Sequence, residues 1–195
     1  PTGKTGISTN LLQEEGERYN FGEAPSPACH FQPDLNAIQN AKIVTMGSLF
    51  CPPLDDPDFA RSIVRAAKQS GAVICADTMP PDGKSLDDFR DVLAQVDYLF
   101  PNEFEAGRLT GEDVPERMLD KLLSYGVKTV ILTLGPQGVL VGRANERFAL
   151  PAFDVPVVDT TGAGDGFLAG FAAALLEGKS LLDCCLFASA VSACV

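Results

Sequence analysis

The chain has 195 residues, 46% of them hydrophobic, enough to bury a substantial core as one domain. Its formal net charge of −11 argues against nucleic acid or an anionic membrane surface as a partner. No apolar run approaches the roughly 18 residues a membrane span requires, and no basic-then-apolar leader pattern opens the chain, so a cytoplasmic protein is expected.

Residues 5–12 read as a strand, Glu14-Glu15-Gly16-Glu17 as a polar turn and residues 18–21 as a second short strand. Gly3-Lys4-Thr5 mimics the end of a phosphate-binding loop, yet the Ile-Ser-Thr-Asn after it suits a strand, and the motif is rejected. Residues 22–33 hold three prolines and predict a loop. From there helices and strands alternate. Residues 34–40 suit a short helix, and 42–46 a buried strand ending at Gly47-Ser48. Residues 58–70 place Phe59, Ile63, Val64 and Ala67 at helical spacing, closed by Gly71. Residues 73–76 predict a strand ending at Asp77, 86–94 a helix, and 97–100 a strand ending at Pro101-Asn102. Helices follow over 103–109, stopped by Gly111, and over 115–125, stopped by Gly126. Residues 127–134 form a β-branched strand, and 138–141 with 147–150 a hairpin. Val155, Val157 and Val158 read as one more strand and residues 167–176 as an apolar helix.

This alternation implies βαβ units and a mostly parallel sheet covered on both faces, an α/β fold. Ligands gather at the carboxyl ends of such strands. Asp77, Asn102, Thr133 and Asp159 all fall at predicted strand ends, which points to a shared site. The six cysteines form no C-x-x-C pair, and His30 is the single histidine, so zinc spacing is absent and the thiols are expected to be reduced.

The stretch from Asp159 to Gly170 concentrates the chemistry. Gly162, Gly164 and Gly166 lie between the predicted strand and helix, with the carboxylate of Asp165 among them. A turn through glycines into a helix aims free amides and the positive dipole end at one spot, an anion site. A carboxylate there suits a base that takes a proton from a hydroxyl attacking a phosphoryl group. The helix dipole alone also favours an Asp in a first turn. A dinucleotide fingerprint fails, because its third glycine would fall at Phe167, and a hydrolase elbow needs G-x-S-x-G plus a histidine, for which the lone His30 is a poor candidate.

Two further motifs have local readings of their own. Asn102 suits a helix N-cap, and Glu105, three residues on, would close a capping box. Thr133-Leu-Gly-Pro-Gln-Gly138 suits a hairpin turn. Taken in order with Asp159-Thr-Thr-Gly-Ala-Gly-Asp165, they closely resemble the N-x-x-E, T-L-G-x-x-G and C-terminal signature motifs of the ribokinase-like (PfkB) family of carbohydrate kinases.

The resemblance implies a three-layer αβα ribokinase-like fold, incomplete here. Residues 1–22 would be remnants of a small β lid or edge strands, and 23–195 the nucleotide and catalytic half, as the C-terminal part of a longer chain. It implies ATP-dependent phosphorylation of a primary hydroxyl of a sugar, with Asp165 as base and the amides of Gly162, Ala163 and Gly164 stabilising the transferring group. Asn102 and Glu105 would order Mg²⁺, largely through water. The nucleotide would lie along Asn102, Thr133, Gly135 and Gly138. Ser189, in a helix bordering adenine, takes a position where the family often carries Asn or His. Asp159 and Thr161 would bind a monovalent cation such as K⁺, or the Asp159 side chain would hold the loop itself. Gly16-Glu-Arg18, residues 42–48 and Pro151-Ala-Phe-Asp-Val155 look most like fructokinase-type members, whereas Phe21-Gly-Glu-Ala-Pro25 departs from the aromatic-Arg pattern expected there. A ribokinase, a nucleoside kinase, a keto-deoxy-sugar kinase and a non-catalytic metabolite-binding relative stay open as alternatives. Lid strands in this family often pair across a homodimer, which is the oligomeric state the resemblance favours.

Overall fold

The computed structural model describes residues 8–12, 18–22, 34–79 and 85–195, the first two ranges as backbone only. Strands β1 (Ser8–Leu12) and β2 (Arg18–Gly22) pair antiparallel, with Ser8 opposite Gly22, within a unit spanning residues 1–34. The motif at Gly3-Lys4-Thr5, the turn at residues 14–17 and the loop at 23–33, with Cys29 and His30, lie outside the described residues.

The second unit, residues 35–195, is built on a six-stranded sheet. Its strands are β3 (Ile43–Leu49), β4 (Val73–Thr78), β5 (Tyr98–Phe100), β6 (Thr129–Thr133), β7 (Val139–Arg143) and β8 (Glu146–Leu150), lying side by side in chain order. The pairings from β3 to β6 are parallel, and β6–β7 and β7–β8 are antiparallel. Crossovers between neighbouring parallel strands share one hand, so consecutive connections cover one face of a sheet. Those connections carry helices α1 (Pro57–Gln69), α2 (Arg90–Leu93), α3 (Glu103–Thr110) and α4 (Pro115–Ser124). One core accordingly joins Ile63, Val64, Leu93, Leu119 and Leu122 to Ile74, Ala76, Leu99, Val130 and Leu132. The alternate strand residues Cys75, Phe100, Ile131, Val139 and Val141 face the other way, into a core closed by α5 (Ala163–Leu176) and α6 (Leu181–Ala193). Helices thus lie on both faces of a mostly parallel sheet, the expected α/β architecture.

The helix α5 is apolar all round because it has two neighbours. Phe167 and Phe171 pack on the sheet, with ring centroids 6.2 Å and 5.0 Å from Phe100, and Phe171 lies 4.9 Å from Tyr98. Each fully buried ring contributes about 2 kcal/mol. On its other side, a Cβ at Gly170 would lie 3.0 Å from Val191 and 3.1 Å from the backbone of Ala188, so the small residue lets α6 approach.

Several boundaries move from their sequence-based positions, each for a local reason. Residues 155–158 do not form a strand. Val155, Val157 and Val158 are 38%, 70% and 95% exposed, Pro156 between them has no amide to donate, and the edge of β8 does not pair with them. β-propensity without a partner strand is not enough. Helix α5 begins at Ala163 rather than residue 167, because Gly162 turns left-handed (φ 83°) and its carbonyl accepts the Gly166 amide at 2.8 Å. The helix expected over 86–94 is a 3-10 turn, Leu86–Phe89, running into the short α2. Residues 35–40 are likewise 3-10 rather than α, and β3 runs on to Leu49 through a register shift after Met46.

At the opposite edge of the sheet from the strand ends, Asp97 binds three partners. Its carboxylate meets Lys68 Nζ and Lys128 Nζ, each at 2.6 Å, and accepts the Ile74 amide at 2.8 Å. Burial by itself would raise this carboxyl, but Lys128, Lys68 and the amide together hold it below the usual range. A depressed folded-state pKa contributes stability at pH values above the unfolded one and loses it as pH falls through the folded one. Asp97→Asn is therefore expected to cost about 2 kcal/mol at pH 7, with the gap to wild type closing in acid below the ordinary carboxylate pKa of about 4. Urea unfolding at the two pH values measures both numbers.

Candidate active site

Strands β4, β5 and β6 end in step, and their last residues meet. The register sets Asp77 opposite Phe100, and Asn102 pairs with Thr133 as an isolated parallel bridge, the Thr133 amide donating to the Pro101 carbonyl at 3.0 Å. Three of the four expected strand-end residues, Asp77, Asn102 and Thr133, thus share one edge. The fourth, Asp159, ends no strand but leads into the turn before α5.

Asn102 caps α3. Its Oδ1 accepts the Glu105 amide at 2.8 Å, and Glu105 Oε2 accepts the Asn102 amide at 3.1 Å, completing a capping box. The same Oε2 also accepts the buried hydroxyl of Thr78 at 2.9 Å. Asp77 accepts the amide of Ser48, a residue held in the left-handed region (φ 57°) at the end of β3. Thr78 is a site residue that motif reading missed. Its signal was position, next to Asp77 at a strand end, where side-chain direction alternates and neighbours serve opposite faces.

Helix α5 delivers Asp165 to this edge. Phe167, two residues beyond Asp165, packs edge-on against Phe100, two residues before Asn102, so one aromatic contact sets the helix start against the end of β5. The first turn has no side-chain cap. The Ala163 amide donates to the Thr160 carbonyl at 3.1 Å, which leaves those of Gly164 and Asp165 without an acceptor among the described residues. An added Cβ at Gly164 would meet nothing within 4 Å, so packing does not require glycine there. At Gly166 a Cβ would come within 2.9 Å of Val195, a structural reason for that glycine.

The turn before the helix is held by Asp159, whose Oδ1 accepts the Thr161 amide at 2.9 Å and its hydroxyl at 2.8 Å. This is the loop-holding geometry of a short polar side chain. In the other turn, Gly135–Gln137 is a short 3-10 segment, closed by the Leu134 amide donating to the Gly138 carbonyl at 2.8 Å. Gly135 (φ 55°) is exposed with open space at its Cβ position, whereas Gly138 (φ 89°) lies against residues 150–152. Ser189 sits half-buried on α6, beside the residues that pack on Gly170.

The electrostatics at the edge are those of unbalanced acids. Burial pushes the Asp77 carboxyl above the ordinary range, the Ser48 amide pulls it back, and the charge of Asp165 pushes it further. Burial also raises Glu105, against the Asn102 amide and the Thr78 hydroxyl, with Asp77 adding to the rise. Among the described residues, no Lys or Arg is among the groups acting on either. A hard cation nearby would relieve both. No three His, Cys, Asp or Glu among the described residues cluster as direct metal ligands. Elsewhere, Cys75 and Cys185 are buried free thiols pushed up to about 12 by burial, in keeping with unreactive cysteines. No helix among the described residues is long and apolar enough to cross a membrane.

Fold and site together describe an α/β protein whose candidate site lies at the carboxyl ends of its parallel strands, beside a helix N-terminus without a side-chain cap among the described residues. The chain belongs to the pfkB family of carbohydrate kinases, whose description matches residues 1–195. Among its relatives, the ATP-dependent 6-phosphofructokinase of Thermoanaerobacterium thermosaccharolyticum is 34% identical over 164 residues, covering 80% of this chain and 50% of that protein. The structure of Arabidopsis thaliana ribokinase complexed with ribose and ATP superimposes with a TM-score of 0.79 at 29% identity, over 98% of this chain and 63% of that one. An E. coli protein described as a ribokinase II, in complex with ATP and Mg²⁺, gives 0.77 at 28%, over 99% and 65%. The fold is the ribokinase-like one. The chain spans about half the length of the curated relatives it matches.

Proposed function

We propose that the protein carrying this chain is an ATP-dependent kinase that phosphorylates a primary hydroxyl of a sugar, fructose or a related sugar first among them. The observation that carries this reading is Asp165, a carboxylate in the first turn of a helix whose amides at Gly164 and Asp165 have no partner among the described residues. Asp165 takes the proton of the attacking hydroxyl. The free amides beside it, and the dipole of α5, stabilise charge on the transferring phosphoryl group without having to reorganise. Asn102 and Glu105 would hold Mg²⁺ through water, and the ion would neutralise phosphate charge in a chain whose own net charge is −11. Thr133 and Gly135, at the end of β6, fit the edge along which the nucleotide lies, with Gly138 supporting that turn from below. Ser189 would border the base, and K⁺ at the Asp159–Thr161 turn belongs to the same reading as an ion that shapes the turn. Residues 1–22 are assigned to the lid on this view, and pairing of lids gives a homodimer.

The test is ADP release by the full-length protein, with Mg²⁺ and ATP, over a panel of hexoses, pentoses, keto-deoxy sugars and nucleosides. Turnover is expected with a sugar that bears a primary hydroxyl. Tight ATP binding with no ADP release over the whole panel would overturn the catalytic reading in favour of a metabolite-binding relative.

A further inference from the structure

The carboxylate of Glu105 owes its orientation to a residue outside its own helix. Of the donors on Oε2, the Asn102 amide comes from the capping box, which any good N-cap would supply. The other, the Thr78 hydroxyl, comes from the end of β4 across 27 positions of sequence, and Thr78 is only 4% exposed. A Val would fill that place in the sheet with the same shape and a better fit to the strand, so burial and β-propensity do not account for the hydroxyl. Two donors on one oxygen fix the plane of a carboxylate that a capping box alone leaves free to rotate about its last torsion.

We infer that Thr78 is a positioning residue for the Mg²⁺–phosphate site, holding Glu105 in one orientation through the hydrogen bond from β4 to α3. This rests on the proposed kinase function, in which Glu105 acts on metal-bound water. It also explains why the two last residues of β4 serve different tasks. Asp77 points to the side of Ser48 and Asp165, and Thr78 to the side of Glu105, so one strand end registers the base and the metal-ordering helix against each other.

The experiment compares wild type, Thr78→Val and Thr78→Ser in the full-length protein, by calorimetric titration with Mg²⁺ and a non-hydrolysable ATP analogue, by steady-state kinetics and by melting temperature. Thr78→Val is expected to weaken Mg²⁺-dependent nucleotide binding and lower kcat by about 10- to 100-fold. Binding of the nucleotide without Mg²⁺ and KM for the sugar should stay within about twofold, and the fold should remain intact. Thr78→Ser is expected to restore most of the loss, since it returns the donor. If Thr78→Val melts lower yet keeps wild-type Mg²⁺ dependence and kcat, the hydroxyl serves stability alone and the inference is overturned. A wild-type protein that neither binds the nucleotide nor turns over would instead remove the kinase reading, a result separable from the first because it needs no variant.

Discussion

Asp165→Asn is expected to lower turnover by about 10²- to 10⁴-fold, the usual worth of a positioned general base, while leaving ATP affinity and melting temperature nearly unchanged. Asn keeps the size of the side chain and its place in the first turn of α5, but cannot accept the proton of an attacking hydroxyl. Loss of a negative charge from a helix N-terminus costs about 0.3–1 kcal/mol. Against that, removing the charge relieves its repulsion of Asp77, so the two effects offset each other. A purely structural Asp165 would produce the opposite pattern, a shifted melting curve with turnover intact. Steady-state kinetics, with ATP binding measured on the same preparation, distinguishes the two, and equal turnover in the variant would refute the base.

Gly138→Ala is expected to be the most damaging change to the fold among the glycines of the site. A Cβ there would collide with the Leu150 carbonyl oxygen and lie 2.6 Å from both the Ala152 amide nitrogen and the Pro151 carbonyl carbon, all of them backbone atoms that cannot swing aside. The residue also has φ 89° with ψ −127°, a backbone region outside the left-handed helical one that costs an L side chain about 1–3 kcal/mol. With overpacking of about 1–3 kcal/mol added, the loss comes to roughly 3 kcal/mol, or a melting temperature lower by about 6–12 °C at this chain length. Gly135→Ala is the control. Its φ of 55° lies in the left-handed region, and its Cβ would meet nothing, so stability should fall by only about 1 kcal/mol while KM for ATP rises. Equal melting temperatures for the two variants would contradict this division of one motif into a glycine for the fold and a glycine for the ligand.

The same division separates what was legible in the sequence from what was not. The parallel strands β3 to β6 were readable because each is a short apolar run bounded by turn signals. The capping box at Asn102 and Glu105 was readable because both partners sit within one helical turn. Residues 155–158 were misread as a strand for the converse reason. Three valines carry β-propensity, but whether an edge stands ready to receive them is a property of the sheet. The start of α5 was placed four residues late because Gly164 and Gly166 lower helix propensity locally. At Gly166 the close approach of α6 and Val195 offsets that cost.

What the amino-acid order determined by itself was local: which segments extend or coil, where glycines permit a left-handed turn, and that an acid sits where a helix begins. Family membership was also written there, in three motifs in the right succession. Tertiary structure alone decided which of these meet. The aromatic contact of Phe167 with Phe100 sets Asp165 against the end of β5, and the bond from Thr78 to Glu105 joins residues of two elements. It also decided that the Ala163 amide donates to the Thr160 carbonyl, so that among the described residues the Gly164 and Asp165 amides lack an acceptor where the Ala163 amide has one. The physical reason is common to all of these. Propensity and capping act within a turn or two of chain, whereas a site at the ends of parallel strands is assembled from residues whose only link is the register of the sheet.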